Sequence, residues 1–219
     1  MKTKPYLFAI TVACYTLLTV FPSLAQSKYI DTVIHTSVYD SYYSFKLKNP
    51  VFVLYQLSKG GGDCDRQEQG FSFKSLPFTA KNKDYTKSGY ERGHLANAED
   101  FAYDCNAERE TFWYYNCSPQ TEGLNLGQWK KDETDIRRQS QSAKILIICG
   151  SYFSNNTIGA GVYVPKFCWK VAQNMKTGEI LLCRIYENTK KSEWKDVSLT
   201  EMAKLTQVKF SAYLKKVKK

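Results

Sequence analysis

The chain holds only two histidines, His35 and His94, too few for a histidine-rich metal cage. Its seven cysteines form no CxxC pair, which sets aside zinc fingers, zinc ribbons and thioredoxin-like redox motifs. No GxSxG stretch is present, so serine hydrolase chemistry on a nucleophile elbow is disfavoured. No internal repeat and no linker divides the sequence, and past the N-terminal region no apolar run is long enough to cross a bilayer. Acidic residues are also short: 21 Asp+Glu face 31 Lys+Arg, a net charge of +10. Such an excess favours anionic partners, whether nucleic acid, acidic polysaccharide or a phospholipid surface. What is present, 43% hydrophobic and 24% charged residues in 219, is the composition of a folded globular protein with a real core.

The N-terminus has the order of an export signal. Lys2 and Lys4 open it, an apolar run from Tyr6 to Phe21 follows, and Ser23-Leu24-Ala25 supplies small residues before Gln26. Thr11, Tyr15, Thr16 and Thr19 interrupt the run, which weighs against an uncleaved anchor. The expected organisation is a signal peptide at 1–25 and one domain at 26–219, secreted or periplasmic, with no stable membrane association after cleavage. The oligomeric state stays open. Cysteines 64, 105, 117, 149, 168 and 183 remain, an even number that suggests disulfides in an exported chain. Residues 166–172 and 179–187 read as two strands around the turn 174–178. In the simplest register Cys168 faces Cys183, giving either a cross-strand cystine or two buried free thiols.

Residues 27–45 read as an extended lead-in and 51–55 as a strand rich in β-branched and aromatic residues. Residues 64–89 are polar and irregular. A helix is expected from Ala98 to about Glu110, another from about Asn125 to Gln139, and a buried strand over 144–149. Ser198 and Glu201 form a capping box opening a last helix that carries Leu199, Met202, Leu205, Phe210 and Leu214. Strands and helices mix without βαβ alternation, so the class is α+β, a mixed central β-sheet with flanking helices.

Two segments carry chemistry. Asn125, Trp129, Glu133 and Arg137 recur every four residues and would line one helix face. A solvated face with a Glu133–Arg137 ion pair would explain most of it, but Trp129 is out of place in water. In Glu91-Arg92-Gly93-His94, the glycine permits close approach to the backbone and Arg92 offers a planar fork for phosphate. Taken alone, those four letters could equally be a salt-bridged turn with an exposed His94.

Residues 90–96, then Asn116-Cys117-Ser118-Pro119-Gln120, then Asn125, Trp129 and Glu133 occur in this order and spacing. The constellation resembles the DNA/RNA non-specific endonucleases, the ββα-metal or His-Me finger family, over roughly residues 50–215. The resemblance implies a ββα-metal active-site motif, His94 as general base and Asn125 as the metal ligand, with Glu133 holding metal-bound water. It implies support from Asn116 and Gln120 around the metal, a basic residue near the scissile phosphate at Arg137, the family's upstream arginine at Arg66 and its motif arginine at Arg92, all three as catalytic residues. Three positions depart from the family pattern. Glu91 replaces Asp in a role that braces the loop. Asn97 replaces Pro and loosens the segment after His94. Cys149 replaces Thr before Gly150.

These residue types suit phosphodiester cleavage. A neutral imidazole takes a proton from water near neutral pH. Mg2+, with Mn2+ as a substitute, prefers oxygen ligands, keeps several waters and stabilises the leaving oxygen. Arginines stabilise charge developing on the phosphoryl oxygens. The expectation is an exported, Mg2+-dependent endonuclease acting on DNA and RNA and leaving a 5′-phosphate. Its competitor is a cationic nucleic-acid-binding protein of the same fold without turnover, and a third reading keeps the chemistry on another phosphodiester. Lys215, Lys216, Lys218 and Lys219 either extend the nucleic-acid footprint or form a solvated tail.

Overall fold

Runs of β-branched and aromatic residues build a seven-stranded sheet in the computed structural model, which describes residues 29–215. The expected signal peptide and the lysines at 216, 218 and 219 lie outside those residues. The sheet strands are β1 (Thr32–His35), β2 (Asp40–Ser44), β3 (Asn49–Leu57), β6 (Ile145–Ile158), β7 (Val162–Asn174), β8 (Ile180–Glu187) and β9 (Trp194–Asp196), paired in that order. A separate two-stranded ladder joins β4 (Glu91–His94) to β5 (Cys117–Gln120). Every strand pair in the two sheets is antiparallel. The class is α+β, with the helices α1 (Asn82–Tyr85), α2 (Cys105–Arg109), α3 (Glu122–Asn125), α4 (Gln128–Gln139) and α5 (Leu199–Thr206) set around the sheets. Among the described residues no helix is long and apolar enough to cross a membrane.

Side-chain alternation along the strands divides the core in two. Val53, Tyr55 and Leu57 of β3, Ile145, Ile147 and Cys149 of β6, and Cys168 and Ala172 of β7 join a cluster with Leu95, Leu124, Trp129 and Ile136. That cluster binds the β4–β5 ladder and α4 to one face. Phe52, Ile148, Trp169, Val171, Cys183 and Ile185 pack with Met202 and Phe210 on the other. Burying a side chain of this size is worth about 1.5–3 kcal/mol, so each face contributes far more than helix propensity does.

Several expected elements come out differently. The lead-in at 27–45 contains β1 and β2, because its tyrosines alternate between buried and half-buried positions. The helix expected over 98–110 is a 3-10 turn at Ala98–Phe101 followed by α2, with the Asp104 carboxylate capping the new N-terminus by accepting from the amides of Asn106 and Ala107. The last helix is capped by Ser198 as expected but stops at Thr206, where Gln207 turns left-handed, so Phe210 and Leu214 follow the helix and do not lie on it.

Cys168 and Cys183 are not bonded. Cys168 lies opposite Tyr186 and Cys183 opposite Val171, a three-residue offset from the simplest register. An odd offset turns the two thiols to opposite faces of the sheet, and they sit in different cores. The turn closed by Asn174 and Glu179 and the irregularity at Ala172/Gln173 set this offset. Cys64 and Cys105 form a disulfide instead, with Cα atoms 5.3 Å apart. Cys117, Cys149, Cys168 and Cys183 are buried free thiols.

Of the six cysteines from Cys64 onward, four are therefore expected to react with an alkylating reagent in denaturant without reductant. Cys64 and Cys105 should react only after reduction. Peptide mass mapping reads the pattern, and alkylated Cys64 before reduction would contradict it.

Candidate active site

His94 ends β4, and the local sequence fixes where its ring goes. Gly93 faces Ser118 across the ladder, and any side chain there would collide with Gln120, whose carboxamide carbon lies 2.2 Å from the position of an added Cβ. Glycine at 93 thus lets Gln120 lie flat beneath the strand. After His94 the chain is locked by Asn116. Its amide donates to the Ala96 and Thr111 carbonyls, its Oδ1 accepts from the Ala96 N–H, and its own carbonyl accepts from the Leu95 N–H. The Cys149 thiol donates to the Leu95 carbonyl from below, at 3.0 Å.

The imidazole packs against a pair of touching rings, Phe73 at 4.8 Å and Phe112 at 4.9 Å between centroids. Its Nε2 is buried with no hydrogen-bond partner among the described residues. Burial, and secondarily the positive charge of Arg66, push its pKa down from 6.5 to about 3. The ring is therefore neutral at physiological pH, and Nδ1 is the nitrogen left to meet a water molecule. The other histidine, His35, is exposed and pairs with Asp40 at 2.7 Å.

Asn125 does not share a helix with Trp129, Glu133 and Arg137. It ends α3, and Leu126-Gly127 separates it from α4. Gly127 sits so tightly over α3 that an added Cβ would lie 2.2 Å from the Gly123 carbonyl oxygen. The side chain of Asn125 makes no hydrogen bond within the described residues, while its backbone N–H donates to Thr121. Asn188 holds this corner: its Oδ1 accepts from the Thr121 N–H at 2.8 Å and its amide donates to the Pro119 and Pro165 carbonyls.

On α4 the Glu133–Arg137 pair that a solvated face would make does not form, and both side chains reach other elements. Glu133 is 5% exposed. Its Oε1 accepts from Lys170 Nζ at 3.0 Å and its Oε2 from the Asn97 amide at 2.5 Å. Lys170, in the middle of β7, is fully buried, with Nζ 3.8 Å from the Trp129 ring centre. Arg137 donates to Asp100 Oδ1 at 2.9 Å and to Asn97 Oδ1 at 3.2 Å. Burial pushes the Asp100 carboxyl up to about 6 against the opposing pull of Arg137, and Glu133 adds to the rise. Arg66 reaches in from the loop beside the disulfide, with Nη2 2.6 Å from Glu99 and Nε 3.0 Å from buried Glu108.

One cavity of about 390 Å3 collects His94, Asn125, Glu133, Arg137 and Arg66. It also collects Asn97, noted in the sequence only as a departure from the family pattern, and Glu99, Lys130 and Thr134, which sequence reasoning did not single out. Lys130 and Thr134 lie one turn apart on the open side of α4, and their place beside Glu133 was available from helical spacing. Lys170 was also missed; a lysine between Trp169 and Val171, inside the buried run 168–172, was its signal.

Five expected site residues lie elsewhere. Trp129 is buried beneath Lys170 and meets Tyr186 edge-on. Gln120 and Asn116 support the backbone and do not line the cavity. Arg92 opens on a neighbouring pocket with Ser72, Phe73, Asn82 and Glu91, where it donates to Tyr114 Oη and Asn82 and lies over Tyr85. Glu91 is exposed and its carboxylate makes no hydrogen bond or ion pair among the described residues, so it does not brace the loop.

The donor set fits a hard divalent cation that keeps most of its water. A free carboxamide oxygen on Asn125 and a carboxylate across the cavity on Glu133 are oxygen donors of the right kind. No group of three or more His, Cys, Asp or Glu able to enclose a metal occurs among the described residues.

A family model described as DNA/RNA non-specific endonuclease matches residues 23–217. Human mitochondrial endonuclease G is 30% identical over 152 residues, covering 67% of this chain and 49% of its own. Human mitochondrial nuclease EXOG is 33% identical over 124 residues, 54% of this chain and 34% of its own. A Nostoc nuclease is 31% identical over 129 residues, 55% of this chain and 46% of its own. The chain thus spans less than half the length of these relatives. A chain in the crystal structure of the EndoG/EndoGI complex superposes with a TM-score of 0.67 at 24% identity, covering 80% of this chain and 83% of that one. That likeness supports the fold.

Removing Lys170 alone leaves the largely buried Glu133 carboxylate without its cation. Lys170→Ala is expected to cost about 3–5 kcal/mol in urea unfolding. The double variant Lys170→Met/Glu133→Gln should recover most of it, since no charge is left unpaired. A loss under about 1 kcal/mol in the single variant would show that water reaches the pair.

Proposed function

We propose that this chain, which belongs to the DNA/RNA non-specific endonuclease family, is an exported endonuclease that hydrolyses phosphodiester bonds of DNA and RNA with a divalent cation, Mg2+ or Mn2+ in its place. The observation that carries the proposal is the convergence of His94, Asn125, Glu133, Arg66 and Arg137 on one cavity. Export is supported by the order of charges, apolar run and small residues at 1–25.

His94, neutral and packed against Phe73 and Phe112, accepts a proton at Nδ1 from a water that attacks phosphorus. The new bond joins the water oxygen to phosphorus and the bond to the 3′ oxygen breaks in line; that oxygen takes a proton from solvent, leaving a 5′-phosphate and a 3′-hydroxyl. Arg66 and Arg137 donate to the phosphoryl oxygens as charge builds there. Each arrives already oriented by carboxylates, Arg66 by Glu99 and Glu108, Arg137 by Asp100. Lys130 adds positive charge at the rim, where backbone phosphates carry no base information. Asn125 would hold the cation, and Glu133 would order the waters around it. A cation bound there neutralises phosphate charge and favours departure of the leaving oxygen.

Chelation with EDTA is expected to abolish nicking of plasmid DNA, and Mg2+ or Mn2+ to restore it. His94→Ala should stay folded and lose on the order of 10²–10⁴-fold in rate. Full activity in that variant sinks the base assignment. Nucleic-acid retention by the wild type without cleavage in either cation would favour the binding-protein reading.

The pH profile follows from the depressed pKa. Because the half-buried ring stays neutral, the rate should hold level from about pH 5 to 8 where chemistry limits, and fall only in stronger acid. The acid limb expected of a free imidazole near 6.5 is thereby displaced downward. An acid limb near 6 that disappears in Asp100→Asn belongs to that carboxyl; one that survives shows that His94 titrates as if exposed.

A further inference from the structure

We infer that Asn97 is a positioning residue whose carboxamide keys Glu133 to Arg137, so that the carboxylate and the guanidinium are set in the cavity as one unit. The inference rests on the endonuclease reading. Asn97 stands where the family pattern commonly has proline, and proline has no side-chain group able to do this.

Asn97 occupies the N-cap of the 3-10 turn 98–101, where asparagine ordinarily folds back onto the amides of its own turn. It makes no such bond. Its side chain reaches across to α4 and splits between two residues four apart there. Nδ2 donates to Glu133 Oε2 at 2.5 Å, and Oδ1 accepts from Arg137 Nη2 at 3.2 Å. A carboxylate needs a donor and a guanidinium needs an acceptor, so only one orientation of the amide satisfies both. Lys170 takes the other oxygen of Glu133 and Asp100 the Nε of Arg137. Without Asn97 each functional side chain would keep one anchor and a freedom of rotation about it. With Asn97 the chain of contacts Lys170, Glu133, Asn97, Arg137, Asp100 closes.

The backbone makes the deletion clean. Asn97 has φ −68°, the value proline imposes, and its N–H donates to nothing among the described residues. Asn97→Pro therefore removes both side-chain bonds without opposing the main chain, and Asn97→Ala serves if the ring disturbs Ala96. Asn97→Asp is the discriminating variant. Aspartate is a good N-cap and nearly the same shape, so a bracing role would tolerate it best. In the keying role it is the worst choice, because it sets a carboxylate against Glu133 while still accepting from Arg137.

The test is steady-state cleavage of double-stranded DNA in saturating Mg2+, with thermal unfolding of each variant. The expected order of kcat is wild type, then Asn97→Pro lower by about tenfold, then Asn97→Asp lower still, with KM within about twofold throughout. Wild-type kcat in Asn97→Pro, or Asn97→Asp equal to or better than Asn97→Pro, overturns the inference. A contact readout independent of turnover is the cycle of Asn97→Ala, Glu133→Gln and the double variant, followed by Tm. Non-additive shifts support the key and additive shifts overturn it. A wild type that binds DNA but never cuts overturns the endonuclease reading, and the cycle then decides the fate of Asn97 by itself.

Discussion

Glu133 and Lys170 are two opposite charges taken almost wholly out of water, and neither can stay there without the other. That constraint fixes the geometry of everything around it. Lys170 rises from within β7, so α4 must cross that strand where Glu133 can meet it. Trp129, one turn earlier on α4, then covers the ammonium stem and completes the seal. The carboxylate reaches the cavity with one oxygen committed to the sheet and the other to Asn97. From there the order passes through Arg137 to Asp100 and Tyr55, back onto β3. The β4–β5 ladder closes over the opposite wall, and Asn116 sets how far His94 enters.

The sequence made the identity of the cavity residues readable but not their supports. His94, Asn125, Glu133, Arg66 and Arg137 could be named because the order and spacing of their segments resemble a known family; neither segment would have named them alone. What holds them is written in contacts between distant segments: Phe73 and Phe112 on the imidazole, Lys170 on Glu133, Glu108 on Arg66. Such partners have no local period. The four-residue spacing was itself partly misleading. It placed Asn125 on one helix face with Trp129, whereas Gly127 breaks the helix and Trp129 turns inward. A glycine within a helical pattern was the available warning. Likewise, alternation identified the strands of the β7–β8 hairpin, but the register depends on a turn and an irregularity whose sum cannot be read from hydrophobicity. The thiol pairing failed for that reason alone.

The arginines around the cavity are held by acids before any ligand arrives. Glu99 and Glu108 flank Arg66, and Asp100 fixes Arg137. Such an arrangement gives up part of the net positive potential in exchange for side chains that have already lost their rotational freedom. The acids differ in kind: Glu99 is well exposed at the rim, whereas Asp100 and Glu108 are buried.

The bridge between Cys64 and Cys105 encloses Arg66, His94 and Asn97 in a single covalent ring. The turn at 65–70 within it is exposed, the kind of place where a digestive enzyme cuts first. A cut there severs the main chain yet leaves both pieces stapled through sulfur, with β3 still zipped to β6. On a gel run with thiol the molecule would look broken; in a compartment without thiol it would remain one body.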